Sequence, residues 1–70
     1  MAKKIKYFDN GNIHELYNYK NGKRNGKCVE YYPNGEKRVH GYFKNGKPSG
    51  VWMIWEKDGS YDWLDMGLRY

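Results

Sequence analysis

Cysteine, histidine, arginine and long aliphatic runs are all scarce in this chain, and each scarcity closes off a class of function. Cys28 is the single cysteine. No disulfide can form within the chain, which fits a reducing, cytoplasmic setting and gives no support for secretion. His14 and His40 are the two histidines, and neither stands in a Cys–His or His–x–His spacing that would gather ligands around a metal. The opening "MAKKIKYFDNG" is basic like the start of a signal peptide, but no apolar run follows it. Nothing reaches the roughly 20 apolar residues of a membrane-spanning helix. The expectation is a soluble intracellular chain.

Groups arranged for catalysis are equally scarce. Cys28 lies in "KCVEYY", a segment of strand composition rather than a turn that presents a nucleophile to a base. Asp62 and Asp65, three apart in a second strand-like segment, fall on opposite faces and cannot work as an acid/base pair. None of the glycines sits between a strand and a helix, as a phosphate-cradling loop requires. The reading is a non-enzyme, with no catalytic residue, no metal and no cofactor.

What the chain does have is rings, lysines and glycines. Its 70 residues make one domain near the lower limit for a self-sufficient core. Hydrophobic residues are 39% of the total and aromatics alone 19%, so rings must carry most of the packing, a composition opposite to that of a disordered chain. The net charge is +5, unevenly spread. Residues 1–50 hold 11 Lys/Arg against 4 Asp/Glu, a net of +7, and residues 51–70 hold 2 against 4, a net of −2. A basic body suits an acidic partner. Lysines outnumber arginines 10 to 3, however, and arginine is the residue preferred for phosphate and base recognition.

The glycines reveal a repeat of 24 residues. Asn10-Gly11 is followed by Asn34-Gly35 and Asp58-Gly59, Asn21-Gly22 by Asn45-Gly46, and Gly26 by Gly50. Asn-Gly and Asp-Gly favour tight hairpin turns because both positions tolerate positive φ. Between them lie "KIKYF", "IHELYNYK", "KCVEYY", "KRVHGYFK", "VWMIWE" and "YDWLDMGLRY", of strand length and composition, and none shows helical periodicity. The predicted fold is all-β, an antiparallel β-meander of about six strands built from 24-residue hairpin repeats, with strong twist or curl compatible with it. Two-residue turns are expected at Asn10, Asn34 and Asp58, and longer turns at the two "NGKxxG" sites. A lone hairpin cannot bury a face, so the units must stack.

The stretch "GKCVEYYPNGEKRVHGYFKNGKPSG" resembles the bacterial variant of the MORN repeat, in which an aromatic-rich strand precedes an Asn-Gly turn and a "y.nGk..G" ending. "YFDNGNIHELYNYKNGKRNG" matches from its first Asn-Gly, and "GVWMIWEKDGSYDWLDMG" through Asp58-Gly59, after which it departs. The resemblance implies one repeat domain over 1–70, with units at about 8–31 and 32–55 and a truncated capping unit at 56–70. It also implies an antiparallel sheet that binds other molecules. Some bacterial members are labelled antitoxin-like, and eukaryotic relatives are associated with membranes and protein scaffolds.

Two binding surfaces follow from strand alternation. Trp52 and Ile54 share one face, and Met53 and Trp55 the other. Cys28, Glu30 and Tyr32 oppose Val29 and Tyr31. Cys28 aligns with Trp52 in the repeat and is expected in the core. With rings on both faces of one layer, some meet a partner or are covered by Lys and Arg stems. Trp52, Trp55, Trp63 and Leu64 form the candidate aromatic surface. The stretch at 61–70, which joins Trp63, Leu64, Met66 and Leu68 with two aspartates, either caps the sheet or pairs outward by strand addition, for instance in a homodimer.

Lys23, Arg24, Lys27, Lys44 and Lys47, joined by Lys37 and Arg38, form a candidate basic rim. Charged turns are also what any water-soluble β-protein exposes. The function expected is a non-catalytic protein-binding module, an antitoxin-like or small inhibitor that occupies a partner enzyme's surface. Its partner surface would be acidic or nucleic-acid-binding, as in a phage- or plasmid-encoded inhibitor of a nucleic-acid-processing enzyme. The alternative is direct nucleic-acid binding through basic turns and exposed rings. Membrane association is disfavoured, since no amphipathic helix or lipidation signal accompanies the lysines.

Overall fold

The computed structural model describes residues 2–66. Six strands follow one another: β1 (Ala2–Tyr7), β2 (Ile13–Lys20), β3 (Lys23–Tyr31), β4 (Lys37–Lys44), β5 (Lys47–Trp55) and β6 (Tyr61–Asp65). Each pairs antiparallel with the next, in the order β1-β2-β3-β4-β5-β6, as an open sheet. The Cα atoms span 35 × 26 × 10 Å, so the molecule is a single layer. Of the segment expected to form the last strand, Leu68 and its neighbours from 67 onward lie outside the described residues.

The turn lengths are the reverse of the sequence expectation. Asn21-Gly22 and Asn45-Gly46 are the two-residue links, with φ of 53° and 78° in the first and 51° and 86° in the second. Positive φ at both positions matches the right-handed twist of the flanking strands. The segments after them, "KRNG" and "KPSG", are strand, not turn. Their final glycines, Gly26 and Gly50, take φ of 96° and 70°. Near them the registers of β2·β3 and β4·β5 shift. The second glycine of "NGKxxG" therefore supplies a bulge within a strand rather than a turn.

The other three links are five residues long and begin 24 apart, at Phe8, Tyr32 and Glu56. In each, the first N–H donates to the fifth carbonyl, and the glycine N–H donates back to the first carbonyl, at 2.8–3.0 Å. The Asn10, Asn34 and Asp58 side chains each accept the N–H two residues on, at 2.9 Å. That side-chain bond lets Asn or Asp stay at negative φ while only the glycine turns left-handed. The same dipeptide thus makes two different turns, according to whether its own side chain closes the loop.

One face carries the core. Tyr17, Cys28 and Trp52 are buried there, with Tyr19, Val39 and Phe43 packed against them. Cys28 is 1% exposed. The Phe43 and Trp52 rings meet edge to face, with centroids 5.2 Å apart. The opposite face carries a stripe that crosses every strand. Ile5 stands opposite Leu16, Leu16 opposite Val29, Val29 opposite His40, His40 opposite Met53, and Met53 opposite Trp63. Directly opposed residues share a face, so these six side chains form one row. Val29 at its centre is 3% exposed, while Ile5 and Trp63 at its ends are 38% and 61% exposed.

The last hairpin breaks the repeat in one respect. The pairings β1·β2 and β3·β4 each slip by one residue just after their five-residue link, around His14 and Arg38. In β5·β6 the register runs unbroken from Trp55↔Tyr61 to Val51↔Asp65. A slip of one residue exchanges the two faces of a strand. By repeat position Trp63 corresponds to Val39, which packs against the core, yet Trp63 projects with Met53 on the opposite face.

Candidate binding surface

The four residues of the expected aromatic surface do not lie together. Trp52 is 9% exposed and part of the core, where its ring fills the space over Gly41. Its indole N–H donates to the Ser49 carbonyl at 3.2 Å. Leu64 stands opposite Trp52, whereas Trp63 stands opposite Met53, so those two exposed neighbours point to different faces. Trp55 and Trp63 remain together. Trp55 is half-buried at the end of β5, where its carbonyl accepts the Tyr32 hydroxyl at 2.6 Å.

What gathers around Trp63 is an apolar patch over β4, β5 and β6. Val51, Met53 and Trp55 alternate along β5 onto this face, and Tyr61 and Trp63 along β6. On β4, Tyr42 follows His40 onto the same face, with its ring edge-on to the imidazole at 5.5 Å. Tyr42, Val51, Tyr61 and Trp63 are exposed. Three of these were absent from the sequence reading. Val51 was readable from its alternation with Met53 and Trp55 along β5, whereas Tyr42 and Tyr61 needed the registers of β4 and β6. Burial, then Lys37 and Lys27, hold His40 below its ordinary imidazole value. The imidazole is therefore neutral at neutral pH, in keeping with an apolar surround.

The basic residues do not form one rim. Lys23 and Lys47 leave the two tight turns, opposite Lys20 and Lys44 respectively. The turns lie side by side: the Gly46 N–H donates to the Arg24 carbonyl at 2.8 Å, and the Asn45 N–H to Asn25 Oδ1 at 3.1 Å. Lys20 also belongs to this lysine cluster, as its repeat equivalence to Lys44 could have signalled. Lys37 and Arg38 start β4, at the opposite end of the sheet, roughly 23 Å away along the strand. Arg38 donates to Glu30 Oε1 at 2.8 Å, and the Tyr17 hydroxyl donates to Glu30 Oε2 at 2.9 Å. Arg24 lies over the core, its guanidinium 4.2 Å from the Tyr17 ring centroid and 5.5 Å from that of Phe43. It acts as a cover for rings, as an arginine's planar, weakly hydrated head suits. Lys27, opposite Tyr42, sits mid-strand.

Two buried groups of the core, Cys28 and Tyr17, are held in their protonated forms. Burial first, then the Glu30 carboxylate, push the Cys28 thiol up to about 11, so the thiolate is not formed at neutral pH. Burial and the bond to Glu30 likewise raise the Tyr17 hydroxyl well above its ordinary value. Among the described residues no three His, Cys, Asp or Glu side chains converge as metal ligands.

The 24-residue hairpin unit, its paired glycines and its single-layer sheet agree with what comparison finds, for the MORN repeat matches residues 18–37 and 40–51. Over those residues the chain is similar to the MORN repeat. No curated protein and no solved structure matches it. MORN repeats are non-catalytic modules that bind proteins or membranes. The matched residues cover the end of β2, all of β3, most of β4 and the start of β5. The exposed end of the apolar patch, β6, lies beyond the matched residues.

Proposed function

We propose that the chain is a non-catalytic protein-binding module of the cytoplasm, an antitoxin-like or small inhibitor that acts by occupying the surface of a partner enzyme. The observation that carries this reading is the patch of Tyr42, Val51, Met53, Trp55, Tyr61 and Trp63. It is apolar, contiguous and on the face away from the core. Exposed rings at the centre of such a patch are the usual anchors of a protein interface. The lysines of the tight turns would form its charged surround and favour an acidic or nucleic-acid-binding partner, as an inhibitor encoded by a phage or plasmid would meet.

The test is capture of partners from the source cell's lysate on immobilised protein, with and without nuclease, in parallel with Trp63→Ala and with a Lys20/Lys23/Lys44/Lys47→Ala variant. A stoichiometric protein that survives nuclease and moderate salt, and is lost with Trp63→Ala, supports the reading. Recovery that disappears with nuclease, or with the lysine variant alone, replaces it with nucleic-acid binding, whose affinity falls log-linearly with salt.

A further inference from the structure

The two outermost strands differ from each other in charge and match each other in outline. Among the described residues, β1 and β6 each have a strand neighbour on one side. Every residue of both is exposed. β1 reads AKKIKY, with Lys3, Lys4 and Lys6, and β6 reads YDWLD, with Asp62 and Asp65. We propose that the chain assembles head to tail with further copies of itself, β6 of one copy pairing antiparallel with β1 of the next.

Three observations converge on this partner. First, strand direction alternates along the meander, so a copy in the same orientation presents its β1 antiparallel to β6 and continues the sheet. Second, keeping each face continuous across the junction allows only every second register. The one that prolongs the six-residue stripe sets Trp63 against Ile5 of the next copy. That register also sets Asp62 against Lys6, Asp65 against Lys3, Leu64 against Lys4 and Tyr61 against Tyr7. Opposite charges, paired rings and ring-on-aliphatic contacts are the cross-strand pairs that stabilise a sheet. Tyr7 and Tyr61 are 60% and 62% exposed, so both would gain cover.

Third, like edges reject one another. Pairing β1 with β1 brings lysine against lysine, and pairing β6 with β6 brings the aspartates of both copies into one ladder. Lysine is also a common residue on edge strands that avoid pairing. Here it blocks the symmetric contact while favouring the acidic edge. The unbroken register of β5·β6 is what makes the match, since a slip there would turn Trp63 to the core face and Asp62 away from Lys6. A contact between unlike patches builds more than a dimer, a ring where its rotation closes and an open series where it does not.

The test is sedimentation velocity on the purified chain from about 1 μM to about 1 mM, bracketing a weak association. Wild type is expected to form a concentration-dependent series beyond the dimer that weakens with added salt. Asp62→Lys and Lys6→Glu, each checked for an unchanged circular dichroism spectrum, should each weaken association about tenfold, as an attractive cross-strand pair becomes repulsive. Mixed in equal amounts the two variants should associate again, because each then offers the other a complementary edge. A wild type that stays monomeric throughout overturns the proposal. So does a species that stops at the dimer and ignores Lys6→Glu, or variants that fail to recover on mixing.

Discussion

Trp52 sits where the side chain of residue 41 would be. The Trp52 ring atoms Cδ2, Cε2 and Cε3 all fall within 3.0 Å of a Cβ placed on Gly41, so the indole packs against bare backbone. Gly41→Ala must push the ring aside and disturb its edge-to-face contact with Phe43. The expected cost is about 1–3 kcal/mol. In a domain of this size that lowers the melting temperature by roughly 4–8 °C per kcal/mol. Thermal melting followed by tryptophan fluorescence checks it.

The two tryptophans of adjacent strands should behave in opposite ways. Trp52→Ala removes a buried ring at a cost of about 3–5 kcal/mol and should leave little folded protein. Trp63→Ala removes an exposed one and should shift stability by no more than about 0.5 kcal/mol. Urea denaturation of the monomer at low concentration separates the two. A large loss with Trp63→Ala would mean that its ring serves the fold rather than a partner.

Stability should fall on both sides of a plateau. Cys28 is raised from 9.0 to about 11 and Tyr17 is raised from 10.0. Both are held in their neutral forms by the fold, so their contribution is complete below about pH 9 and is lost as pH climbs from there. His40 is lowered from 6.5, so its contribution is present above that value and is lost as pH falls through the lowered one. Melting temperatures measured from pH 5 to 11 should be flat between about 7 and 9 and decline outside. Native Cys28 should also resist a thiol reagent at pH 8 until denaturant is added.

The two kinds of Asn-Gly turn predict different tolerances. Asn21 needs positive φ and its side chain closes no loop, so Asn21→Gly should be tolerated while Asn21→Ala costs about 1–2 kcal/mol. Asn34 needs its side-chain oxygen, which accepts the Glu36 N–H. Asn34→Gly should cost about 1 kcal/mol for the lost bond. Asn34→Asp should keep that bond but lose the one its amide N–H donates to Glu36 Oε1 at 2.9 Å, setting two carboxylates together, so it should gain stability as pH falls through the carboxylate range. Urea midpoints of the four variants test the contrast.

Much of the fold was legible because glycine spacing and ring-rich segments report directly on hairpins. Strand number, order and the burial of Cys28 all follow from that periodicity. What stayed hidden depended on geometry that composition does not carry. The residue pair Asn-Gly at 10 and at 21 is identical, and only the fate of the asparagine side chain separates a five-residue loop from a two-residue one. Lys37 and Lys44 sit on one strand, yet a strand's length parts them into different ends of the sheet. The pairing of Trp63 with Met53 rather than with the core rests on a missing slip, which no residue type announces.

That missing slip gives the last strand a parity. One residue added after Ser60 would exchange Trp63 and Leu64 between core and solvent without altering a single side chain. The surface this protein shows its surroundings is thus recorded in the count of residues as much as in their kinds. An inheritable change of length, the smallest there is, would present an entirely different set of groups on the same sheet.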